Sequence, residues 1–334
     1  IDGKSELVDL MQRCLVARAE LYKLSEEWDA ALVDLTSLLP KPHGTAAGAL
    51  ALQGDSVAEA LESRAFALRF AGQLQEALDE YKKVTTKYKE RANAFLQMAD
   101  LQHQMGDEKA CVESMRHASL LRPSDDPLTV KCAEGLVQHA GIDSALDHLG
   151  SVIKIVARPV ALMQRARLRL QETANQLTRE ESPEDDKRRE ALVSGTIQDL
   201  NEVIKLEPFH ADALLIRGCL EANVGPPSSK TRKRAMEDLI MAGELLPDDP
   251  RPNMARGLTF EANGAPYEAI GEYAMAARKT KDGFPLVAAA MVHSQYLEDD
   301  MTAIFYASRA LDRDPNCVRA RIVRADCFYR QGKM

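Results

Sequence analysis

Aromatic residues are scarce in this sequence: they make up 5% of its 334 residues, and tryptophan occurs once. No apolar run approaches the roughly 18 residues a membrane span needs, and Ile1 to Leu15 carries charges throughout where a signal segment would be apolar. The six cysteines (Cys14, Cys111, Cys132, Cys219, Cys317 and Cys327) form no Cys-x-x-Cys pair and no Cys/His cluster at metal spacing, so we expect buried, reduced thiols. Metalloprotease, nucleophile-elbow and phosphate-cradle motifs are absent. His139 and His148 are wrongly spaced to share a metal on one helix face, and each of the seven histidines reads as a surface or groove residue. The carboxylate pairs Asp125-Asp126 and Asp248-Asp249 stand beside Pro127 and Pro250, where they cap the next helix. The expectation is a protein with no catalytic residues, no cofactor and no metal.

An excess of positive charge is missing too. The 43 Lys+Arg face 51 Asp+Glu for a net charge of -8, which argues against nucleic acid as a partner. At 45% hydrophobic residues the chain has enough apolar material to fold, and the default expectation is a cytoplasmic protein. It starts without Met and stops at Gly332-Lys333-Met334, so both ends read as cut from something longer.

What is present is a period. Small residues recur at Ala65, Ala99, Ala133 and Ala166 in steps of 34, 34 and 33, and again through Gly257, Met291 and Ala325 in steps of 34 and 34; Ala19 and Gly218 complete the series. A second series lies twelve residues further on: Ala31, Ala77, Cys111, Ala145, Ala235, Ala269 and Ala303. Gly72, Gly106, Gly264 and Gly332 mark the turn between them, and Pro123, Pro208, Pro247 and Pro315 close the second helices. Each unit is helix, turn, helix, turn, and such thin pairs hide their apolar faces only by stacking on neighbours.

This pattern, with Gly72-Gln-Leu-Gln-Glu-Ala77-Leu-Asp-Glu-Tyr81 as a good copy, resembles the tetratricopeptide repeat (TPR). The resemblance implies an all-α, right-handed superhelical solenoid of antiparallel helix pairs whose first helices line a concave groove. We expect one solenoid over 1–334, with repeats near 12–40, 58–91, 92–125, 126–158, 159–210, 211–249, 250–283 and 284–317, and a partial ninth at 318–334. The register breaks at 40–55, 175–189 and 225–229. The first is read as a loop with a short helix at 46–52, and the second as extended helices joined by a charged loop, Arg179 to Arg189. Ser182-Pro183 in that loop is a solvated turn in preference to a phosphorylation site. Lys230, Arg232, Lys233 and Arg234 place four cations against the dipole at a helix start; a solvated basic corner is favoured over an import or acidic-partner patch.

Reading the first helices at their fifth, ninth and twelfth positions gives the face that the resemblance makes a groove. Its early rows are charged and mixed. From the fourth repeat it turns apolar, through Val130, Val137, Met163, Leu170, Leu215, Cys219, Met254, Leu258 and Val292, with Arg167 among them. An apolar strip of this kind marks a partner site, unless a tight superhelix or a slip of phase buries it. Arg18, Arg64, Arg165, Arg217, Arg256 and Arg324 recur at the seventh position, and we expect them to bond carbonyl oxygens or acids of the adjacent second helices, such as Asp79, Asp199 or Asp238.

The expected function is a non-enzymatic scaffold that binds helical or extended segments of other proteins within a larger complex, ciliary (or flagellar), cytoskeletal or trafficking in kind. The alternative is a co-chaperone adaptor for Hsp70/Hsp90-type chaperones, but Ser63 in Glu62-Ser63-Arg64-Ala65 stands where that family's clamp has Asn, and no His-Pro-Asp signature is present. Asn93, Asn175, Asn223, Asn253 and Asn263 do not fall in one row, against the asparagine ladder of a glycosyltransferase arm.

Overall fold

Turn residues at fixed offsets from small residues divide the chain into short helices in the computed structural model, which describes residues 2–39, 52, 55–176, 183–222 and 229–332. The helices are α1 (Asp2–Leu24), α2 (Trp28–Leu38), α3 (Asp55–Phe70), α4 (Leu74–Lys87), α5 (Ala92–Gln104), α6 (Glu108–Leu121), α7 (Asp126–Ala140), α8 (Ile142–Ile155) and α9 (Pro159–Gln176). They continue as α10 (Pro183–Leu206), α11 (Ala211–Glu221), α12 (Lys230–Leu245), α13 (Arg251–Ala262), α14 (Pro266–Lys279), α15 (Phe284–Gln295), α16 (Asp300–Arg313) and α17 (Val318–Arg330). No strand occurs among the described residues. Contacts divide the chain into two units, Ile1–Gln164 and Arg165–Met334.

Within each unit, consecutive helices pack on one another, and the small residues sit at their crossings. Ala65, Ala133 and Ala166 are fully buried, as are Ala31, Ala77, Ala145, Ala235, Ala269 and Ala303. At Gly218 the fit is close, since a Cβ there would come within 2.7 Å of Leu239 Cγ on α12, and at Gly257 it is closer still, against the Tyr273 ring on α14. The turns use left-handed backbone: φ is +82° at Gly72, +80° at Gly106, +71° at Gly264 and +67° at Gly332. Glu26 (φ +60°) and Glu298 (φ +52°) occupy the same offset, seven residues beyond Ala19 and Met291, without the freedom of glycine. Pro123, Pro208, Pro247 and Pro315 each follow a helix end by two residues, as α6, α10, α12 and α16 close at Leu121, Leu206, Leu245 and Arg313.

The register breaks are resolved in part. α9 and α10 are 18 and 24 residues long, so most of the insertion extends helices. The charged loop read from Arg179 to Arg189 is shorter than expected: Pro183 to Arg189 is helical. Proline suits the first helical turn, and Glu184, Asp185 and Asp186 complement the dipole there. Ser182, the segment 40–51 with most of the expected helix at 46–52, and residues 225–228 lie outside the described residues.

The seventh-position arginines form a repeated clamp. Arg18 meets Asp34 at 2.7 Å, Arg64 meets Glu80 at 2.7 Å, Arg165 meets Asp199 at 2.9 Å, Arg217 meets Asp238 at 2.7 Å and Arg256 meets Glu272 at 2.9 Å. The separation is 16 residues for Arg18, 34 for Arg165 and 21 for Arg217, the longer ones stretched by the register breaks. Arg217 also donates to Asn201 at 2.8 Å, and Arg169 donates to Asp199 and to the Gly195 carbonyl, both at 2.6 Å. The expectation of Asp79 as Arg64's partner is corrected by one residue: Glu80 faces the first helix, while Asp79 points outward and accepts from Gln75.

The fourth repeat lacks the clamp. Cys132 holds the arginine's register position and His148 the acid's, and both are fully buried. Neither ring nitrogen of His148 has a hydrogen-bond partner. Burial, helped by the charge of Arg116, pushes the imidazole down from 6.5 to about 4, against the opposing pull of Glu113. His148 is therefore a core residue, which corrects its reading as a surface or groove histidine. The thiols also split: Cys111, Cys132 and Cys327 are buried, Cys317 is half-buried, and Cys14 and Cys219 are exposed.

Candidate functional site

The second unit contains an open apolar cavity of about 640 Å³ built on the first helices of successive pairs. Leu170 comes from α9, Leu215 and Cys219 from α11, and Met254 and Leu258 from α13; Phe284 and Pro285 at the start of α15 close it. Steps of three and four along each helix bring these side chains to one face, and the stacking of pairs aligns the faces. The floor is firm: Leu215 is buried in a cluster with Leu214, Leu239 and Ala242. The wall is accessible: Leu258 is 50% and Phe284 43% exposed. The Cys219 side chain reaches the open cavity, but the apolar wall around it desolvates the thiol and pushes it up, which Arg251 only partly opposes.

A charged rim borders the apolar surface. Arg251 lines the cavity, grips Asp249 at 2.6 Å and reaches Asp212 at 3.3 Å; Arg167 approaches the same Asp212 at 3.5 Å. Hydrogen bonding from Arg251 holds the Asp249 carboxyl below its usual range. These pairs are exposed, so their contribution to stability is small and their side chains can exchange partners.

Of the ten groove residues read from sequence, Leu170, Leu215, Cys219, Met254 and Leu258 line this cavity. Arg167 stands exposed at the rim through its pair with Asp212. Val130 and Val137, on α7 of the first unit, are half-buried, and Met163 is buried. Val292 is fully buried in a core cluster with Ala269, Tyr273, Ala288 and Ala289, which corrects its placement on a groove wall. The physical reason is that α15 is apolar nearly all round, so no polar face sets its phase. Phe284, Pro250 and Arg251 were missed; they lie three or four residues before the fifth position and share its face.

The basic run is corrected as well. Arg234 forks onto the carboxylate of Glu221, and Arg232 donates to Asn263, so half of the run serves the fold. Ser229 caps α12 by accepting from the Arg232 backbone N–H at 3.2 Å. Lys230 and Lys233 are the exposed remainder.

The first unit's cavities are mixed in lining, in keeping with the charged and mixed early rows. One of about 550 Å³ between α1 and α3 is lined by Asp9, Arg13, Glu20 and Glu59 among others, and one of about 230 Å³ by Asp100, Glu108, Lys131 and Glu134. Among the described residues, no group of three or more His, Cys, Asp or Glu could hold a metal ion, and no helix is long and apolar enough to cross a membrane.

No protein-family model matches the chain, and no curated protein does. Among solved structures it is similar to TTC0263, a thermophilic TPR protein of Thermus thermophilus, with 15% identity and a TM-score of 0.42 over 61% of this chain and 99% of that one. It is similar to the APC/C hetero-tetramer Cut9–Hcn1, with 13% identity and a TM-score of 0.46 over 98% of this chain and 57% of that one. A third is YrrB, described as a TPR protein with an unusual peptide-binding site, at 12% identity and a TM-score of 0.43 over 73% of this chain and 97% of that one. By its own helix order, its small-residue crossings and its 34-residue spacing, the chain has the all-α fold of stacked tetratricopeptide-type helix pairs.

Proposed function

We propose that this chain is a non-enzymatic scaffold that holds segments of partner proteins against the apolar cavity of its second unit. The observation that carries the reading is the alignment of Leu170, Cys219, Met254, Leu258 and Phe284, from four successive first helices, into one accessible apolar wall. An exposed, contiguous wall of this kind is a recognition surface for apolar anchors of another polypeptide. Methionine adapts its shape to different anchors, and the exposed Arg167 and Arg251 can turn toward a partner's carboxylates.

The finer placement in a ciliary, cytoskeletal or trafficking assembly belongs to the same proposal and is supported by the length of the repeat array, which offers several faces to a complex. The chaperone-adaptor alternative finds little support: Ser63, at the position of the family's clamp asparagine, is held between Lys23 and Glu20 at 3.3 and 3.1 Å.

The test is selection of peptides on the immobilised chain from a random library, followed by titration against Leu258→Asp and Met254→Asp. Leu258 is half exposed, so Leu258→Asp keeps the fold; Met254 also packs against the cluster around Tyr273, so helical circular dichroism accompanies the Met254→Asp titration. Selected peptides should carry apolar anchors and lose at least about tenfold in affinity for either variant, equivalent to about 1.4 kcal/mol. Equal binding to wild type and both variants would overturn the groove.

A further inference from the structure

The second helices of the pairs turn a row of side chains to solvent on the side opposite their buried small residue. Steps of four place the row two before, two after and six after that residue. It reads Gln75, Asp79 and Lys83 in α4, and Ser194, Gln198 and Glu202 in α10, all exposed. In α14 and α16 the polar side chains give way to apolar ones at the same register. Tyr267, Gly271 and Met275 stand there in α14, and Met301, Phe305 and Arg309 follow 34 residues on in α16, again all exposed. Tyr267 is 74% and Met301 66% exposed. α14 packs between α13 and α15, and α16 between α15 and α17, so the exposure comes from the register and is shared with the polar rows. Ile270 of α14 and Tyr306 of α16 pack on one buried cluster, which sets the two outer rows side by side. Gly271 points the same way. Glycine inside a helix costs stability against alanine, and the fold needs it at Gly135 and Gly257, where a Cβ would strike Val112 or Tyr273. At Gly271 a Cβ would meet nothing within 4 Å, so a single chain does not require glycine there.

We propose that this outer face of α14 and α16 pairs with the same face of a second copy of this chain, α14 antiparallel to α14, about a two-fold axis passing beside Gly271. Gly271 then meets its own copy and lets the two backbones approach, while Tyr267 faces Met275 of the second copy and Phe305 lies beside Phe305 of the second copy. Charge selects both the occupant and the direction. The start of the two rows is bordered by Glu268, Glu298 and Asp299, and their end by Arg278 and Arg309, with Asp312 a turn beyond. Arg278 touches Met275 Sδ at 3.9 Å and Arg309 lies 5.7 Å over the Phe305 ring, and among the described residues neither is paired with an acid. Antiparallel pairing brings the acidic end of each copy onto the basic end of the other, and the symmetry makes that contact twice. Parallel pairing would set acid on acid. The helix dipoles favour the antiparallel direction as well. The face thus supplies the chemistry it binds, and the contact closes at two copies.

Sedimentation equilibrium of the 334-residue chain tests this. The wild type should form a dimer. Gly271→Leu should weaken it at least about tenfold while the urea midpoint holds or rises, because the new side chain meets open space in one copy and is obstructed only by a second. Tyr267→Ser combined with Phe305→Ser should weaken it by a similar factor, with helical circular dichroism unchanged. A chain carrying Arg278→Glu and Arg309→Glu, and another carrying Glu268→Arg and Glu298→Arg, should each be predominantly monomeric. Mixing the two should restore a heterodimer, since opposite charges then meet at both ends. The groove variant Leu258→Asp should dimerise as the wild type does, because Leu258 lies on a first helix away from this face. A chain that is monomeric up to about 100 μM, well above the dissociation constants of specific interfaces, would overturn the proposal. So would a dimer indifferent to Gly271→Leu, a dimer lost with Leu258→Asp, or charge-reversed chains that fail to pair on mixing.

Discussion

Acidification should weaken the first unit through a single buried ring. His148 sits in α8 where other repeats place the clamp's acid, is fully buried, and has both ring nitrogens without partners. Its folded-state value lies at about 4, below 6.5 for the free side chain. The sign follows. Because the folded value is depressed, the unfolded chain binds the proton more readily, so stability is complete above about pH 6.5 and declines as pH falls toward 4. A depression of this size corresponds to about 3 kcal/mol in total, of which about 2 kcal/mol is lost by pH 5. Arg116 on α6 deepens the depression and Glu113 on the same helix opposes it. The assay is hydrogen exchange of the α7 and α8 amides at pH 7.5 and pH 5, corrected for intrinsic rates, in the wild type and in His148→Leu. The variant removes the titrating group but keeps a buried side chain of similar bulk, so the wild type should lose about 2 kcal/mol more local stability than the variant between the two pH values. An equal loss in both proteins, or an imidazole that titrates near pH 6.5 by NMR in the folded state, would refute the reasoning.

Two further outcomes follow from the clamp and the turns. Arg217→Met should cost about 3–5 kcal/mol in urea denaturation because it leaves Asp238 buried without its cation, and adding Asp238→Leu should recover most of the loss. Glu298→Gly should raise stability by about 0.5–1 kcal/mol, since glycine accepts the left-handed backbone that the side chain resists, and a matching rise in the urea midpoint checks it.

Much of the fold is legible in the residue order because its determinants are local. Gly72 and Gly106 announce their turns through φ, Pro123 and Pro315 announce helix ends by lacking an N–H, and the 34-residue recurrence of alanine places the crossings. The clamp is legible too, with Asp199 and Asp238 named as acids, although the neighbouring Asp79 was preferred to Glu80. His148 was read as a surface or groove residue, yet a histidine at the acid's position opposite a cysteine at the arginine's position was a visible signal of a core site. The cavity was half legible. Five of its residues were named from helical phase, but Val292 was misplaced because α15 has no polar face by which to orient it.

The division has a physical cause. Sequence alone determined the helix-pair unit, its period and the residues that touch inside a pair, because these depend on contacts a few turns apart and on backbone freedom at single positions. Tertiary structure decided which apolar side chains are core and which are surface. That depends on how each helix rolls against its neighbours, and where a helix is apolar all round, as α15 is, the linear order leaves the roll undetermined.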